Sequence, residues 1–173
     1  MRVLGIDPGY AICGYGLVDA AAGRIAPVAF GTLTTPAHTR FEDRLFEIDA
    51  DIRDIFATYA PDAMAIETLF FSNNQKTAVA VAEVRGVLLL AARQAGVPIF
   101  EYGPLQVKQA MVGYGKATKR QVQEMVRRLL QLGEVPKPDD AADALAIAMC
   151  HAHSAQSRQF GRTKTRRQRM GYE

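Results

Sequence analysis

Two short apolar runs in this chain end in an acid. Met1-Arg-Val-Leu-Gly-Ile leads to Asp7, and Asp62-Ala-Met-Ala-Ile leads to Glu67. Each run reads as a strand, so each sets a carboxylate at a strand end. Val or Thr would pack better there, and a buried acid is costly unless it is paired or binds a metal. A third segment, Asp139-Asp-Ala-Ala-Asp-Ala-Leu-Ala-Ile-Ala, opens a helical stretch with Asp140 and Asp143 three apart. Residues at that spacing share a helix face. Acids brought together repel one another and bind protons more tightly unless a divalent cation neutralises them. Clustered oxygen ligands suit Mg²⁺ or Mn²⁺. Two such ions about 3.5–4 Å apart bracket a scissile phosphate. Singly, Asp139 or Asp140 is a good helix N-cap, and Asp7 before Pro8-Gly9 suits an Asx-turn. Jointly, the four acids point to metal-assisted phosphoryl chemistry.

The remaining pattern is that of an α/β chain. Strands are expected at 2–7, 12–19 and 25–34, as a meander, then at 62–67 and 97–101. Between them, Phe41, Leu45, Ile48, Ile52, Ile55 and Phe56 fall at helical spacing over 40–58. Further helices are expected at 76–95, 104–112, 118–132 and 139–155. In the 118–132 helix, Val122, Met125, Val126, Leu129 and Leu130 are expected inside, with Lys119, Arg120 and Arg127 toward solvent. A meander followed by βαβ-type units gives a mixed five-stranded sheet with helices on both faces. The 76–95 helix is apolar almost all round, so it must bury more than one face. Its own chain or a twin subunit would supply the second cover, and Gly86 would permit close approach.

The 173 residues make one domain with a sizeable core. The chain starts directly in a strand-like run, without the features of a signal peptide, and no stretch is suited to span a bilayer. A soluble, cytosolic protein is expected. Two cysteines, Cys13 and Cys150, make no disulfide framework. The net charge of +3 is unevenly placed: residues 154–173 hold six basic residues and one acid, and the rest holds 15 basic and 17 acidic residues. The organisation expected is a domain over 1–153 and a basic, disordered tail over 154–173. That tail suits a polyanion or serves only solubility.

Other motifs are weaker. Gly113-Tyr-Gly-Lys-Ala-Thr-Lys lacks the glycine and the Ser or Thr of a Walker A loop. Its Lys116, with Lys119, suits contact with a backbone phosphate, or is merely solvated. Phe70-Phe71-Ser-Asn-Asn-Gln follows Glu67, and its aromatics suit either base stacking or the core. Cys150-His-Ala-His lacks the second ligand pair of a zinc site and reads as the end of a helix. With three histidines and no paired nucleophile, covalent catalysis is not indicated.

Leu4-Gly-Ile-Asp-Pro-Gly, Gly14-Tyr-Gly, Ala65-Ile-Glu, Ala82-Glu-Val-Arg-Gly-Val, Gln106-Val-Lys-Gln, Val112-Gly-Tyr-Gly and Asp140-Ala-Ala-Asp-Ala-Leu-Ala-Ile-Ala occur in order. From residue 3 to about 153, this set resembles the RuvC family of bacterial Holliday-junction resolvases. The resemblance implies a ribonuclease-H-like fold and a homodimer joined through the 76–95 helix. It implies two active sites that cut two strands of a four-way DNA junction in recombination and repair. Asp7, Glu67, Asp140 and Asp143 match the family's acids, holding two Mg²⁺ or Mn²⁺ ions, with Asp7 bridging. Asp139 is an extra neighbour, and the spacing to Asp143 favours Asp140. Lys108 and Lys119 match basic positions near the DNA backbone, with Lys119 also expected in catalysis. Phe70 matches an aromatic that contacts bases, and Asn74 is expected nearby. Metal-assisted hydrolysis would leave a 5′-phosphate and a 3′-hydroxyl. RuvA and RuvB are the partners implied.

Three rivals share parts of this pattern. An actin-like ATPase shares Gly-Ile-Asp-x-Gly but needs a second lobe that this chain does not supply. A nuclease of ribosomal RNA precursors shares the fold but not Gln106-Val-Lys-Gln with the 76–95 helix. A non-catalytic junction binder would have lost a metal ligand, whereas all four acids are present.

Overall fold

The central strand of the sheet is the one that carries Asp7. In a computed structural model, β1 (Arg2–Asp7), β2 (Ile12–Ala21) and β3 (Arg24–Thr34) form the meander. Then come α1 (Phe41–Tyr59), β4 (Ala63–Glu67), α2 (Gln75–Gln94), β5 (Ile99–Tyr102), α3 (Pro104–Val112), α4 (Lys119–Leu129) and α5 (Asp139–Gln168). The structure describes residues 1–69 and 75–168, with side chains described for 1–69 and 77–155. The sheet order is β3-β2-β1-β4-β5. β1 pairs antiparallel with β2 and parallel with β4, and β4 pairs parallel with β5. This is the mixed five-stranded sheet expected from the sequence.

Helices cover both faces. Ile48, Ile52 and Phe56 of α1 and Val84, Leu88 and Ala92 of α2 close one core over Leu4, Ile6 and Leu17. On the other face, α3, α4 and α5 enclose Val3, Val18 and Ala65. α1 ends where Ala60 turns left-handed (φ 43°) and donates its N–H to the Phe56 carbonyl, just before Pro61. β3 is an edge strand and alternates in exposure. It accommodates Pro27 where its register with β2 shifts beside Leu17 and Val18, the kind of place where a proline is tolerated.

Some expectations need correcting. α5 runs to Gln168 rather than to about 155, so Cys150 and His153 lie within the helix, not at its end. On α4, Val122 and Val126 are buried as expected, as is Leu130 just past its end, but Leu129 is 44% exposed. Gln123 takes an inward place instead. A strict count of apolar residues assigned that face one residue too widely, and polar Gln123 carried no apolar mark.

Candidate active site

Backbone contact is what brings the third acidic segment to the strand ends. Gly5 of β1 faces α5 so closely that a Cβ there would sit 2.1 Å from the Ala144 carbonyl oxygen. A Cβ on Gly14 of β2 would sit 2.0 Å from the Asp140 carbonyl oxygen. Only glycine permits such an approach. The facing helix is equally lean: Ala141, Ala142, Ala144, Ala146 and Ala148 are all buried. The first turns of α5 therefore lie directly on β1 and β2, where Asp7 pairs with Gly14. Glu67 follows Ile66, the register partner of Ile6, so it ends the strand beside Asp7.

The outcome is a cavity of about 240 Å³ walled by Asp7, Glu67 and Asp143 with Lys108 and Lys119, over Val107, Val122 and Ile147. Larger hollows lie elsewhere, about 360 Å³ beside α4 and about 680 Å³ between β3 and the α4–α5 region. Neither gathers several acids, so convergent charge rather than size marks the site. Lys119 lies 2.9 Å from Asp143 and 3.5 Å from Asp139. Its position is set by a capping box at the start of α4. The Gln121 N–H donates to Thr118 Oγ1 at 3.3 Å, and the Thr118 N–H donates to Gln121 Oε1 at 2.8 Å. Lys108 is placed similarly: the Gly103 N–H donates to Gln106 Oε1 at 2.8 Å, and Pro104 starts α3.

The carboxylates oppose one another's ionisation. Burial raises Asp7, and the charges of Glu67, Asp143 and Asp140 add to this, to about 7, while Lys119 opposes it. Glu67 is raised by burial and by Asp143, against Lys108 and Lys119. Burial raises Asp143 too, although its bond to Lys119 pulls the other way. Burial lowers the Lys119 ammonium, but Asp143 and Asp139 more than restore it, leaving it above the usual lysine value.

Among the described residues, no three acid, histidine or cysteine side chains are already closed into a metal cage. The donor chemistry nevertheless fits a hard divalent cation. The converging ligands are carboxylate oxygens, their mutual repulsion is only partly offset by Lys119, and the cavity between them has room. Among the expected residues, Asp140 is half-buried beside Gly14 and does not wall the cavity. Lys116 is exposed on the α3–α4 connection, away from the cavity walls. Phe70, Phe71, Asn73 and Asn74 lie outside the described residues.

Sequence reasoning missed the support behind the acids. Arg85 of α2 reaches the Glu67 carbonyl, its Nε 3.5 Å away, and pairs with Glu101. Tyr102, the register partner of Glu67, accepts the Thr68 N–H at its carbonyl at 3.0 Å. The Tyr102 hydroxyl lies 2.9 Å from Nδ1 of buried His151 on α5. Phe100 lies against the same imidazole, ring centroids 4.2 Å apart. The signal available was a polar tip on an otherwise apolar helix face, which requires a partner when buried.

A mixed sheet in this order, with acids at the ends of its two central strands and a third acidic segment laid across them, defines a ribonuclease-H-like nuclease. Within that class the chain belongs to the RuvC family: residues 3–151 match the family described as crossover junction endodeoxyribonuclease RuvC. A relative of that name from Heliobacterium modesticaldum is 57% identical over 154 residues, covering 89% of this chain and 95% of the relative. One from Syntrophomonas wolfei is 53% identical, covering 89% of this chain and 90% of its own. Among solved structures, T. thermophilus RuvC in complex with a Holliday junction substrate superposes with a TM-score of 0.86 at 39% identity. That match covers 91% of this chain and 96% of the other. The yeast mitochondrial Holliday junction resolvase Ydc2, at 14% identity and TM-score 0.62, shares the fold. Among the described residues, no helix is long and apolar enough to cross a membrane.

Proposed function

We propose that this chain resolves four-way DNA junctions in recombination and repair, hydrolysing one phosphodiester in each of two strands. The convergence of Asp7, Glu67 and Asp143 with Lys119 in one cavity carries this reading. Asp7, Glu67, Asp140 and Asp143 would hold two Mg²⁺ or Mn²⁺ ions, with Asp140 entering from the cavity rim. When bound, the ions would supply charge stabilisation at the phosphate and a more acidic water. That positive charge would hold Asp7 fully ionised near neutral pH, where burial and its neighbours, by raising it to about 7, otherwise leave it only partly so.

Lys119 is already cationic and tethered to Asp143, within reach of a phosphate oxygen entering the same cavity. Lys108, which lines the same cavity, would hold the strand by its phosphate. Lys116 would add a contact to the backbone, and Phe70 and Asn74 would contact bases. Paired cutting requires two such sites. The outer side of α2 supports a homodimer, since Val79 and Leu90 are each 56% exposed although the other side of the helix is buried in the core. The domain would span 1–153, followed by the basic 154–173 segment, and the protein would act in the cytoplasm with RuvA and RuvB.

The test is cleavage of an end-labelled four-way junction with Mg²⁺, with Mn²⁺ and with chelator, beside Asp7→Asn. Paired symmetric nicks that need metal and vanish in Asp7→Asn are expected. Tight junction binding without cleavage under either metal would overturn the reading in favour of a binder. Cleavage of structured RNA but not junctions would move it to an RNA nuclease.

A further inference from the structure

Arg44 stands apart from most of the arginines whose side chains the structure describes. Arg2, Arg40, Arg53, Arg85, Arg127 and Arg128 each meet a carboxylate. Arg44 forms no such ion pair among the described residues. Its guanidinium carbon lies 5.8 Å from the centre of the Tyr10 ring. The residue is half-buried, and its Nε is sealed from water without a hydrogen-bond partner. A guanidinium on an aromatic face is attracted to it and keeps its planar fork available for an oxyanion. A partly desolvated cation with no carboxylate is costly in isolation, so an anionic partner is the natural complement.

The location gives that anion a context. Tyr10 lies in the short connection from β1 to β2, three residues after Asp7. The Tyr10 carbonyl is fixed by Thr35 Oγ1, which donates to it at 2.9 Å, and the Thr35 N–H donates to Ala11 at 3.1 Å. The platform under Arg44 is therefore anchored to the end of β3 and does not depend on Arg44 itself. Lys108 and Lys119 reach the cavity from α3 and α4, on one side of the sheet. Arg44 rises from α1, on the other side. A nucleic-acid strand crossing the C-terminal end of β1 would thus meet cations from both layers.

Resting on the junction-resolving reading above, we propose that Arg44 is a phosphate-binding residue. It would take a backbone phosphate beside the scissile one, from a guanidinium preset on Tyr10. It is a positioning residue for the strand, not a participant in bond breaking.

The experiment is junction binding by the full chain in metal-free buffer across a salt series, for wild type, Arg44→Gln and Arg44→Lys, with melting curves for each. Each phosphate neutralised contributes about 0.9 to the slope of log affinity against log salt. Arg44→Gln is expected to lower the slope by about that amount and to weaken binding roughly fivefold to tenfold near 0.1 M salt. Arg44→Lys is expected to keep the slope while losing part of the affinity, since the charge stays but the fork is gone. An unchanged slope in Arg44→Gln overturns the assignment, even if affinity falls through lost packing. If wild type fails to bind the junction at all, the functional reading itself fails, and that result appears before any variant is compared.

Discussion

Replacing Asp7 by Asn should make the metal-free protein more stable while abolishing its chemistry. Asp7 sits at about 7 against an ordinary 3.8, a gap of about three pH units. At about 1.4 kcal/mol per unit, the ceiling on its cost to the folded state is about 4 kcal/mol once it is fully ionised. Part of that repulsion is shared with Glu67 and Asp143, so we expect Asp7→Asn to gain about 1–3 kcal/mol at pH 8. For a chain of this length that is about 3–10 °C in melting temperature. The sign follows from the raised value. The protonated carboxyl favours the fold, so stability from this group is full below about 3.8 and is lost as pH rises through about 7. The variant's advantage should therefore shrink at pH 5 to under half its value at pH 8. Calorimetric melts with chelator at the two pH values measure this directly. Saturating Mg²⁺ or Mn²⁺ should reverse the ranking, since a ligand at a hundred times its dissociation constant stabilises the wild type by about 2.7 kcal/mol. A variant no more stable than wild type at pH 8, or equally advantaged at both pH values, would refute the frustrated-carboxylate account.

Three further perturbations probe the supports. Gly14→Ala drives a Cβ to within 2.0 Å of the Asp140 carbonyl oxygen. It should cost at least about 3 kcal/mol in a denaturant titration and cut cleavage further than stability alone explains, because it displaces the turn that carries Asp140. Tyr102→Phe deprives buried His151 of the hydroxyl 2.9 Å away. A loss of about 1–2 kcal/mol is expected by thermal melt, with metal-free junction affinity unchanged. Lys119→Met removes the cation that opposes proton binding at Asp7, Glu67 and Asp143. The acid limb of the cleavage pH profile should move to higher pH, and an unmoved limb would separate Lys119 from the carboxylates.

The fold was largely legible because its elements obey simple periods. β1 and β4 are short apolar runs, and α1 carries Ile48, Ile52 and Ile55 on one stripe. The acids were legible as a set because strand ends and an i, i+3 helix pair are positions that sequence specifies. Between the two acids of the Asp139–Asp140 doublet, only the spacing to Asp143 spoke, in favour of Asp140, because the inward turn itself depends on the rotation of α5 against Gly14. In the structure, Asp139 has a 61% exposed side chain and meets Lys119 from outside, while Asp140 lies half-buried against β2. The length of α5 was hidden because its last part carries no apolar stripe to mark a helix. Arg44 was hidden for a related reason: its partner is an aromatic on another element, and no spacing rule joins residues 10 and 44.

The glycines and the acids follow from one requirement. A carboxylate at a strand end can approach acids on a crossing helix only if that helix lies closer to the sheet than ordinary side chains allow. Gly5 and Gly14 on the strands, and the alanines of α5 opposite, remove the intervening volume. The apolar area that larger residues would have buried there is forgone, and the same closeness concentrates negative charge. Both effects lower the stability of the metal-free fold, and the second, the charge repulsion, is relieved in the state that holds a cation. Substitutions that fill this seam with larger apolar groups should therefore separate in direction from Asp7→Asn. Neutralising a seam acid raises metal-free stability, whereas adding volume lowers it, yet each abolishes metal-dependent cleavage. Binding of Mn²⁺ followed by its effect on melting temperature would show both classes losing the metal-induced rise. A seam-filling variant that kept the full rise would mean that helix proximity does not set the metal site.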